Sequence, residues 1–274
     1  MGRAENIAIF EDTERLVKTN ERLRSSVRQS TENQKLILEM DKLEKPDLEQ
    51  YSFNAEIIVS KKRTYEAAKA YKGMKTVVHN FASASNPGGG VVNGANAQEE
   101  CLCRCSGLYF NLNTQSMWNG FYRPHRSSQD PIHNDDIIFT PGVTVFKTDT
   151  ANPVLMEERD WYDVDVITCA APNLRPKPNN MQNRGDGKKL AVSEKELLAI
   201  HEKRLRRILD VAVMQEEEVV ILGAFGCGAF QNSPNVVARA AKAVLLDYLQ
   251  AFRVIEFAVY CLPLDDLNYR TFQR

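Results

Sequence analysis

No stretch of this sequence is both apolar and long enough to cross a bilayer. Its first residues, MGRAENIAIFEDTERL, carry charge where a secretory signal would carry an apolar core. Asn6 stands where an N-myristoylation motif needs Ser or Thr. A surplus of one charge is missing too. Against 36 acidic residues there are 35 basic ones, a net charge of -1. That excludes a protein coating nucleic acid by bulk charge, while leaving room for one anionic ligand in a local pocket. The six cysteines include no CxxC pair, so neither a disulfide scaffold nor a zinc ribbon is expected. These absences predict a cytoplasmic protein with reduced thiols and no membrane partner. Two nucleotide signatures are also absent. There is no GxxxxGK[ST] for a P-loop, and Gly226-Cys227-Gly228-Ala229-Phe230-Gln231 has two of the three glycines of a dinucleotide fingerprint.

What is present is a 274-residue chain with 43% hydrophobic residues, enough for a large buried core. Residues 1–50 are polar and charged, with Ile7, Phe10, Leu16 and Val17 at helical spacing over Glu5–Lys18. LRSSV and KLILEM, within Leu23–Met40, fit either a hairpin or helix. This segment reads as an accessory helical extension, and residues 51–274 as the main domain. From Tyr51 strand and helix signals alternate: AEIIVS, then TYEAAKAY, then MKTVVHNF, a glycine loop and a helix over Gln98–Leu108. DIIFTPGVTVFK reads as two short strands broken at Pro141-Gly142, DVDVITCAAP as another strand, and PKPNNMQNRGDGKK as a mobile loop. Ser193, with Glu196 three residues on, caps a long amphipathic helix whose apolar face includes Leu197, Leu198, Ile200, Leu205, Ile208 and Leu209. EEVVILGAF, a helix opened by Ser233-Pro234, and VIEFAVYCL complete the pattern. Alternation of this kind predicts an α/β fold with a sheet between helical layers.

Two glycine-rich turns each follow a buried strand and precede a helix: NFASASNPGGGVVNGANAQEE and ILGAFGCGAFQNSPN. Such junctions aim backbone N–H groups and the positive end of a helix at one point, where a diphosphate could be held from two sides. Either loop alone could be no more than a tight turn. Likewise Glu99-Glu100, at a helix start, could be an ordinary first-turn acidic pair. Their place just beyond three consecutive glycines points instead to chemistry.

GGGVVNGANAQEE resembles the GGG–spacer–QEE signature of poly(ADP-ribose) glycohydrolases, in their compact bacterial-type branch. The N-terminal helix, NFASASNPGGG, QEECLCRCSGLY, DIIFTPGVTVFK, DVITCAAPN and LGAFGCGAFQN resemble that branch in order over most of the chain. The resemblance implies a three-layer α/β/α macrodomain-like sandwich with a mixed central sheet and the N-terminal helical extension. It implies Glu100 as the catalytic acid/base, Glu99 orienting ribose hydroxyls, and Gln98 supporting the carboxylates. It implies Gly88, Gly89 and Gly90 approaching the diphosphate and terminal ribose, with Asn86 a further polar contact. Gly226, Gly228 and Ala229 would bind the diphosphate, and Phe230 would pack on the terminal ribose. No cofactor and no metal are implied. The expected partner is ADP-ribose or poly(ADP-ribose) on modified proteins, with nucleic acid entering only as an ADP-ribosylated substrate.

Adjacent helical residues diverge by about 100°, so Glu99 and Glu100 cannot flank one bond from opposite sides. One acid must then serve both as proton donor and as base. Three functions compete: cleavage of ribose–ribose bonds in the polymer, removal of single ADP-ribose groups from protein or nucleic acid, and ADP-ribose binding without hydrolysis. The intact Gln98-Glu99-Glu100 disfavours the third. Other candidates have plainer readings. Cys101, Cys103 and Cys105 lack a second ligand pair and read as buried helix thiols, and Cys227 as a small filler without a base. Of the four histidines, His79 reads as a satisfied core residue and His201 as a surface or boundary residue. His125 and His133 lie in an irregular segment near Trp118, Phe121 and Tyr122, which either borders an adenine or pins a surface loop. Lys203-Arg204-Leu205-Arg206-Arg207 reads as a solvated helix face.

Overall fold

Strands β1 (Lys35–Ile37), β2 (Glu56–Ser60), β3 (Thr76–Phe81), β4 (Ile137–Val145), β5 (Tyr162–Cys169), β6 (Val219–Leu222) and β7 (Val254–Ala258) form one sheet in the order β1-β4-β5-β3-β6-β7-β2. The structure is a computed structural model and describes residues 2–176 and 190–274. The PKPNNMQNRGDGKK stretch, apart from Pro176, lies outside the described residues. Strands β5, β3, β6, β7 and β2 run parallel, while β4 pairs antiparallel with β5 and β1 pairs antiparallel with β4 at one edge. The sheet is therefore mixed, as expected.

Side-chain alternation explains the layers. On β3, Val78 faces a core cluster with Phe10, Tyr65, Leu102 and Leu108, while Val77 faces another with Ile208, Leu209, Ala241 and Val244. The first face is covered by α1 (Arg3–Thr19), α2 (Glu21–Glu32), α3 (Thr64–Ala68), α4 (Gln98–Cys105), α5 (Leu108–Leu112), α6 (Gln115–Met117) and α7 (Arg123–Ser128). The second is covered by α8 (Glu194–Met214), α9 (Pro234–Leu245) and α10 (Leu267–Phe272). Burial on both faces is why β3, β6 and β7 read as near-continuous apolar runs. Ser193 caps α8 as expected, its hydroxyl accepting from Glu196 N at 3.2 Å. Ser233 sits at the cap of α9 without a hydroxyl bond, and Pro234 opens that helix.

Several local expectations change. The ambiguous Leu23–Met40 stretch is helix and then strand. Asn20 caps α2 by accepting from Leu23 N at 3.1 Å, and Leu23 packs beside Phe146 and Trp161. Lys35–Ile37 then pairs with β4. The first fifty residues thus supply an edge strand besides two helices, and α1 is tied to the end of β4 through Lys147. That ammonium donates to Ile9 O at 2.9 Å and lies 2.9 Å from Asp12. The two strands expected around Pro141-Gly142 are one strand with a register shift between Thr140 and Val143. The bulge removes the proline from the ladder, so its missing N–H leaves no gap. The helix-face reading of 203–207 fails at Arg204, which is 2% exposed. It pairs with Asp135 at 2.8 Å and donates to Ala170 O at 2.7 Å. These partners lie on loops before β4 and after β5, which a rigid guanidinium can bridge.

Candidate active site

The parallel strands end on one side of the sheet, where the loops after β3, β5, β6 and β7 converge; this is where open α/β sheets bind ligands. The loop after β3 returns to start α4. Gln98 stitches that start to the strand: its Oε1 accepts from Phe81 N at 2.9 Å, and its Nε2 donates to His79 O at 2.8 Å and Thr64 Oγ1 at 3.1 Å. Gln98 therefore fixes the helix start and makes no hydrogen bond to either carboxylate.

Glu99 and Glu100 are both buried, at 3% and 7% exposure. Glu99 accepts from Ser83 N at 2.7 Å and from Asn80 Nδ2 at 3.3 Å. Glu100 accepts from Gly90 N and Ala97 N, each at 2.8 Å. The glycine loop wraps the acids with its own amides. At Gly89, φ is +59°, and a Cβ would lie 2.4 Å from Glu100 Oε1 and 3.1 Å from Glu99 Oε2. Only glycine both adopts that backbone and leaves the carboxylates room. Burial, with the charge of Glu100 beside it, holds the Glu99 carboxyl well above the usual carboxylate range; the hydrogen bonds it accepts from Ser83 and Asn80 pull the other way.

The acids open into a cleft of about 620 Å³. Gln98, Glu99 and Glu100 line one wall, and Gly226, Gly228, Ala229 and Phe230 line the other. The second loop is held from behind. Asn232 Nδ2 donates to Pro172 O at 2.7 Å and Gly226 O at 3.1 Å, and Asn232 Oδ1 lies 2.9 Å from His201 Nε2. Because the amide nitrogen faces two carbonyls, its oxygen must accept, and His201 Nε2 carries the proton. Gly226 has φ +74° and no room for a Cβ, which would lie 2.6 Å from Ala171 and Asn232. A Cβ on Gly228 meets nothing within 4 Å. The far end of the cleft includes Arg63, Asp149 and Tyr260, with the Arg63 guanidinium 4.0 Å over the Tyr260 ring. Asp149 Oδ2 accepts from Tyr65 N at 3.0 Å, while Oδ1 is buried without a partner among the described residues. Burial pushes its carboxyl up to about 6.

Seven of the site residues expected from sequence thus share one cleft. Gly88, Gly89 and Gly90 sit behind the acids, outside the cleft lining. Asn86 is also outside it, accepting from Arg126 Nη2 and donating to Ser85 Oγ at 3.3 Å. The sequence reading missed Asn80, Ser83, Arg63, Asp149 and Tyr260; only their nearness to the strand ends could have singled them out. His201 is buried, not a surface residue, because Asn232 receives its N–H. His79 is buried as expected but only half satisfied, since Nε2 has no partner among the described residues. The segment holding His125 is helical, through the π-turn Trp118–Tyr122 and α7, and both His125 and His133 are buried. The first half of the segment is therefore packed helix, while residues 129–136 stay irregular, with His133 buried among them. Cys101, Cys103 and Cys105 are free, buried thiols, and burial raises each of them. Burial pushes the Cys227 thiol up to about 12, consistent with a filler. No group of metal-ligating side chains occurs among the described residues, and no helix among them is long and apolar enough to cross a membrane.

Fold and site together define a macrodomain-like α/β/α protein with a buried acid pair, wrapped by a glycine loop, opening into a cleft at the strand ends. The model of the microbial-type PARG (poly(ADP-ribose) glycohydrolase) catalytic domain matches residues 4–148, and the chain belongs to this family. Among solved structures it is similar to the poly(ADP-ribose) glycohydrolase of Thermomonospora curvata, with 29% identity, 98% of each chain covered and a TM-score of 0.82. The same protein bound to the inhibitor ADP-HPD matches at TM-score 0.79, with the same identity and coverage. The poly(ADP-ribose) glycohydrolase of Deinococcus radiodurans in complex with ADP-ribose matches with 30% identity, 90% of this chain and 96% of that chain covered, and a TM-score of 0.72. A comparison with curated protein sequences gives no match.

Proposed function

We propose that the protein hydrolyses the ribose–ribose O-glycosidic bonds of poly(ADP-ribose), releasing ADP-ribose, with Glu100 as general acid/base. The observation that carries this reading is the pair of buried carboxylates facing a second glycine loop across a cleft of about 620 Å³. The D. radiodurans relative solved with ADP-ribose supports the ligand class. The diphosphate lies against Gly226, Gly228 and Ala229, where the open space at Gly228 permits close backbone approach. Phe230 packs on the terminal ribose.

Glu100 is the more exposed of the two acids and protonates the leaving 2′-oxygen as the bond to C1″ breaks. Water then adds to C1″, and the Glu100 carboxylate takes its proton. Glu99, the deeper acid, orients ribose hydroxyls. Burial and the neighbouring charge keep the Glu99 carboxyl protonated to higher pH than an isolated carboxyl. Gly88, Gly89 and Gly90 serve the reaction by holding these acids, with Asn86 supporting the same loop. The polymer carried by modified proteins is the expected substrate, and nucleic acid enters only as a carrier of ADP-ribose. Residues 1–50 act as an extension of the domain spanning 51–274, adding the edge strand β1 to its sheet beside β4.

The test is product analysis by chromatography and mass spectrometry on defined poly- and mono-ADP-ribosylated substrates. Release of ADP-ribose from the polymer, with single protein-linked groups left in place, is the expected result. Turnover of only mono-ADP-ribosylated substrates would replace the polymer with protein or nucleic-acid adducts. Tight ADP-ribose binding with no turnover would make the protein a reader.

A further inference from the structure

Arg126 lies on α7, outside the cleft lining, yet a continuous set of hydrogen bonds joins it to both acids. Its Nε donates to Ser85 O at 2.6 Å and its Nη2 donates to Asn86 Oδ1. The face of the guanidinium lies 4.6 Å from the Trp118 ring centroid. From Ser85 and Asn86 the contacts run inward. Both backbone amides approach Ser83 Oγ, at 3.4 and 3.2 Å, and Ser83 N donates to Glu99 Oε2 at 2.7 Å. In the other direction Gly89 N donates to Asn86 O at 3.0 Å, and Gly90 N donates to Glu100 Oε1 at 2.8 Å. The loop is thus gripped from inside by the two carboxylates and from outside by one arginine.

Trp118 is itself fixed. It opens the π-turn Trp118–Tyr122, and its Nε1 donates to Asn113 Oδ1 at 2.8 Å. A π-turn departs from regular helix spacing and is commonly kept where a side chain must be aimed. Here it brings the indole face under Arg126, eight positions further on. The clamp needs arginine: a planar fork reaches two acceptors on consecutive residues while its face stacks on the ring, which an ammonium cannot do. Arg126 is exposed, so the clamp lies outside the core.

We propose that Arg126, stacked on Trp118, is a positioning residue for hydrolysis, setting the loop conformation that aims Glu99 and Glu100. The inference rests on the function proposed above. It assigns Arg126 no contact with the ligand, so its signature is a loss of rate without loss of affinity.

The test compares Arg126→Ala, Arg126→Lys and Trp118→Leu with the unaltered protein and with Glu100→Gln. Single-turnover hydrolysis at saturating poly(ADP-ribose), its pH profile, calorimetric ADP-ribose affinity and thermal midpoint are measured. Both Arg126 variants are expected to lose about 10- to 100-fold in rate, the scale set by losing charge-assisted hydrogen bonds. Trp118→Leu should lose less, and ADP-ribose affinity should change by less than about threefold, well under one tenfold step in binding free energy. The pH profile of the Arg126 variants should shift, because loosening Ser83 changes the environment of Glu99, and methylguanidine should partly restore Arg126→Ala. A rate for Arg126→Ala within twofold of the unaltered protein overturns the inference. So does a loss that appears wholly as weaker ADP-ribose binding or as a lowered thermal midpoint. Failure of the underlying function shows differently: the unaltered protein would then leave poly(ADP-ribose) intact, whatever Arg126 does.

Discussion

The two glycine loops face one cleft but spend their glycines differently. In the loop after β3, the space denied to a side chain at Gly89 is already taken by Glu100 and Glu99. That loop is shaped around the protein's own acids. In the loop after β6, Gly226 is crowded from behind by Ala171 and Asn232, while Gly228 looks into open space. This second loop is tied down at its back and empty at its front, the arrangement of a ligand cradle. Similar sequence patterns therefore serve an inward task, aiming acids, and an outward one, leaving room for a diphosphate.

Substitutions that add a methyl group separate these tasks. Gly89→Ala should be the most damaging, since its Cβ would displace both carboxylates and its positive φ disfavours alanine. We expect an activity loss of about 10²-fold or more, the scale of a mispositioned acid/base, with ADP-ribose binding largely kept. Activity assays beside calorimetry check this, and equal losses of rate and affinity would erase the contrast between the loops. Asn232→Ala should act through the other loop. It removes hydrogen bonds to Pro172 and Gly226 and leaves the His201 N–H unpaired. A stability loss of about 1–3 kcal/mol is expected by denaturant unfolding, together with weaker ADP-ribose binding. Gly228→Ala is the mildest to the fold: its φ is not positive and nothing lies within 4 Å of the added methyl. Unfolding should change by less than about 1 kcal/mol, while ADP-ribose affinity falls because the methyl occupies the ligand's approach. Unchanged affinity would remove Gly228 from the binding surface.

Acidity should also separate the loops. Behind the second loop, burial holds the His201 imidazole down at about 4 from an ordinary 6.5. A depressed folded value contributes stability that is present above pH 6.5 and lost as pH falls through about 4. His79 and His133, both held at about 3 by burial, extend that loss to lower pH. At the first loop the sign reverses: Glu99 is raised, so its contribution is present below its ordinary 4.5 and lost as pH rises through its elevated folded value. Asp149, raised from 3.8 to about 6, loses its contribution over that window as pH rises. Thermal midpoints between pH 4 and 7 should therefore depend less steeply on acid in His201→Gln than in the unaltered protein. An identical slope would show that His201 does not titrate with folding.

Much of this was legible in the sequence because it is written in short-range patterns. Strand–glycine–helix junctions, the capping box at Ser193 and the Gln98-Glu99-Glu100 stretch each lie within a few residues, and the fold brings the acids and Gly226–Phe230 to one cleft. What was missed depends on partners distant in the chain. Arg204 reads as solvated until Asp135 is beside it, 69 positions away. His201 reads as a boundary residue until Asn232 accepts its proton. Arg126 carries no local signal, because its acceptors lie 40 and 41 positions back. The orientation of the glycine triplet, toward the acids instead of the open cleft, is a matter of backbone dihedrals that composition does not encode.

The central claim is that the two adjacent carboxylates divide the work. Single-turnover hydrolysis of poly(ADP-ribose) and calorimetric ADP-ribose binding, measured side by side for Glu100→Gln and Glu99→Gln, test it most directly. Glu100→Gln keeps the shape of the side chain but can neither give nor take the proton, so the rate should fall by about 10²–10⁴-fold. Its ADP-ribose affinity should stay within about tenfold, or roughly 1.4 kcal/mol. Glu99→Gln should lose rate with a larger share of lost binding. Near-unaltered turnover by Glu100→Gln on every ADP-ribosylated substrate would contradict the account at its central residue.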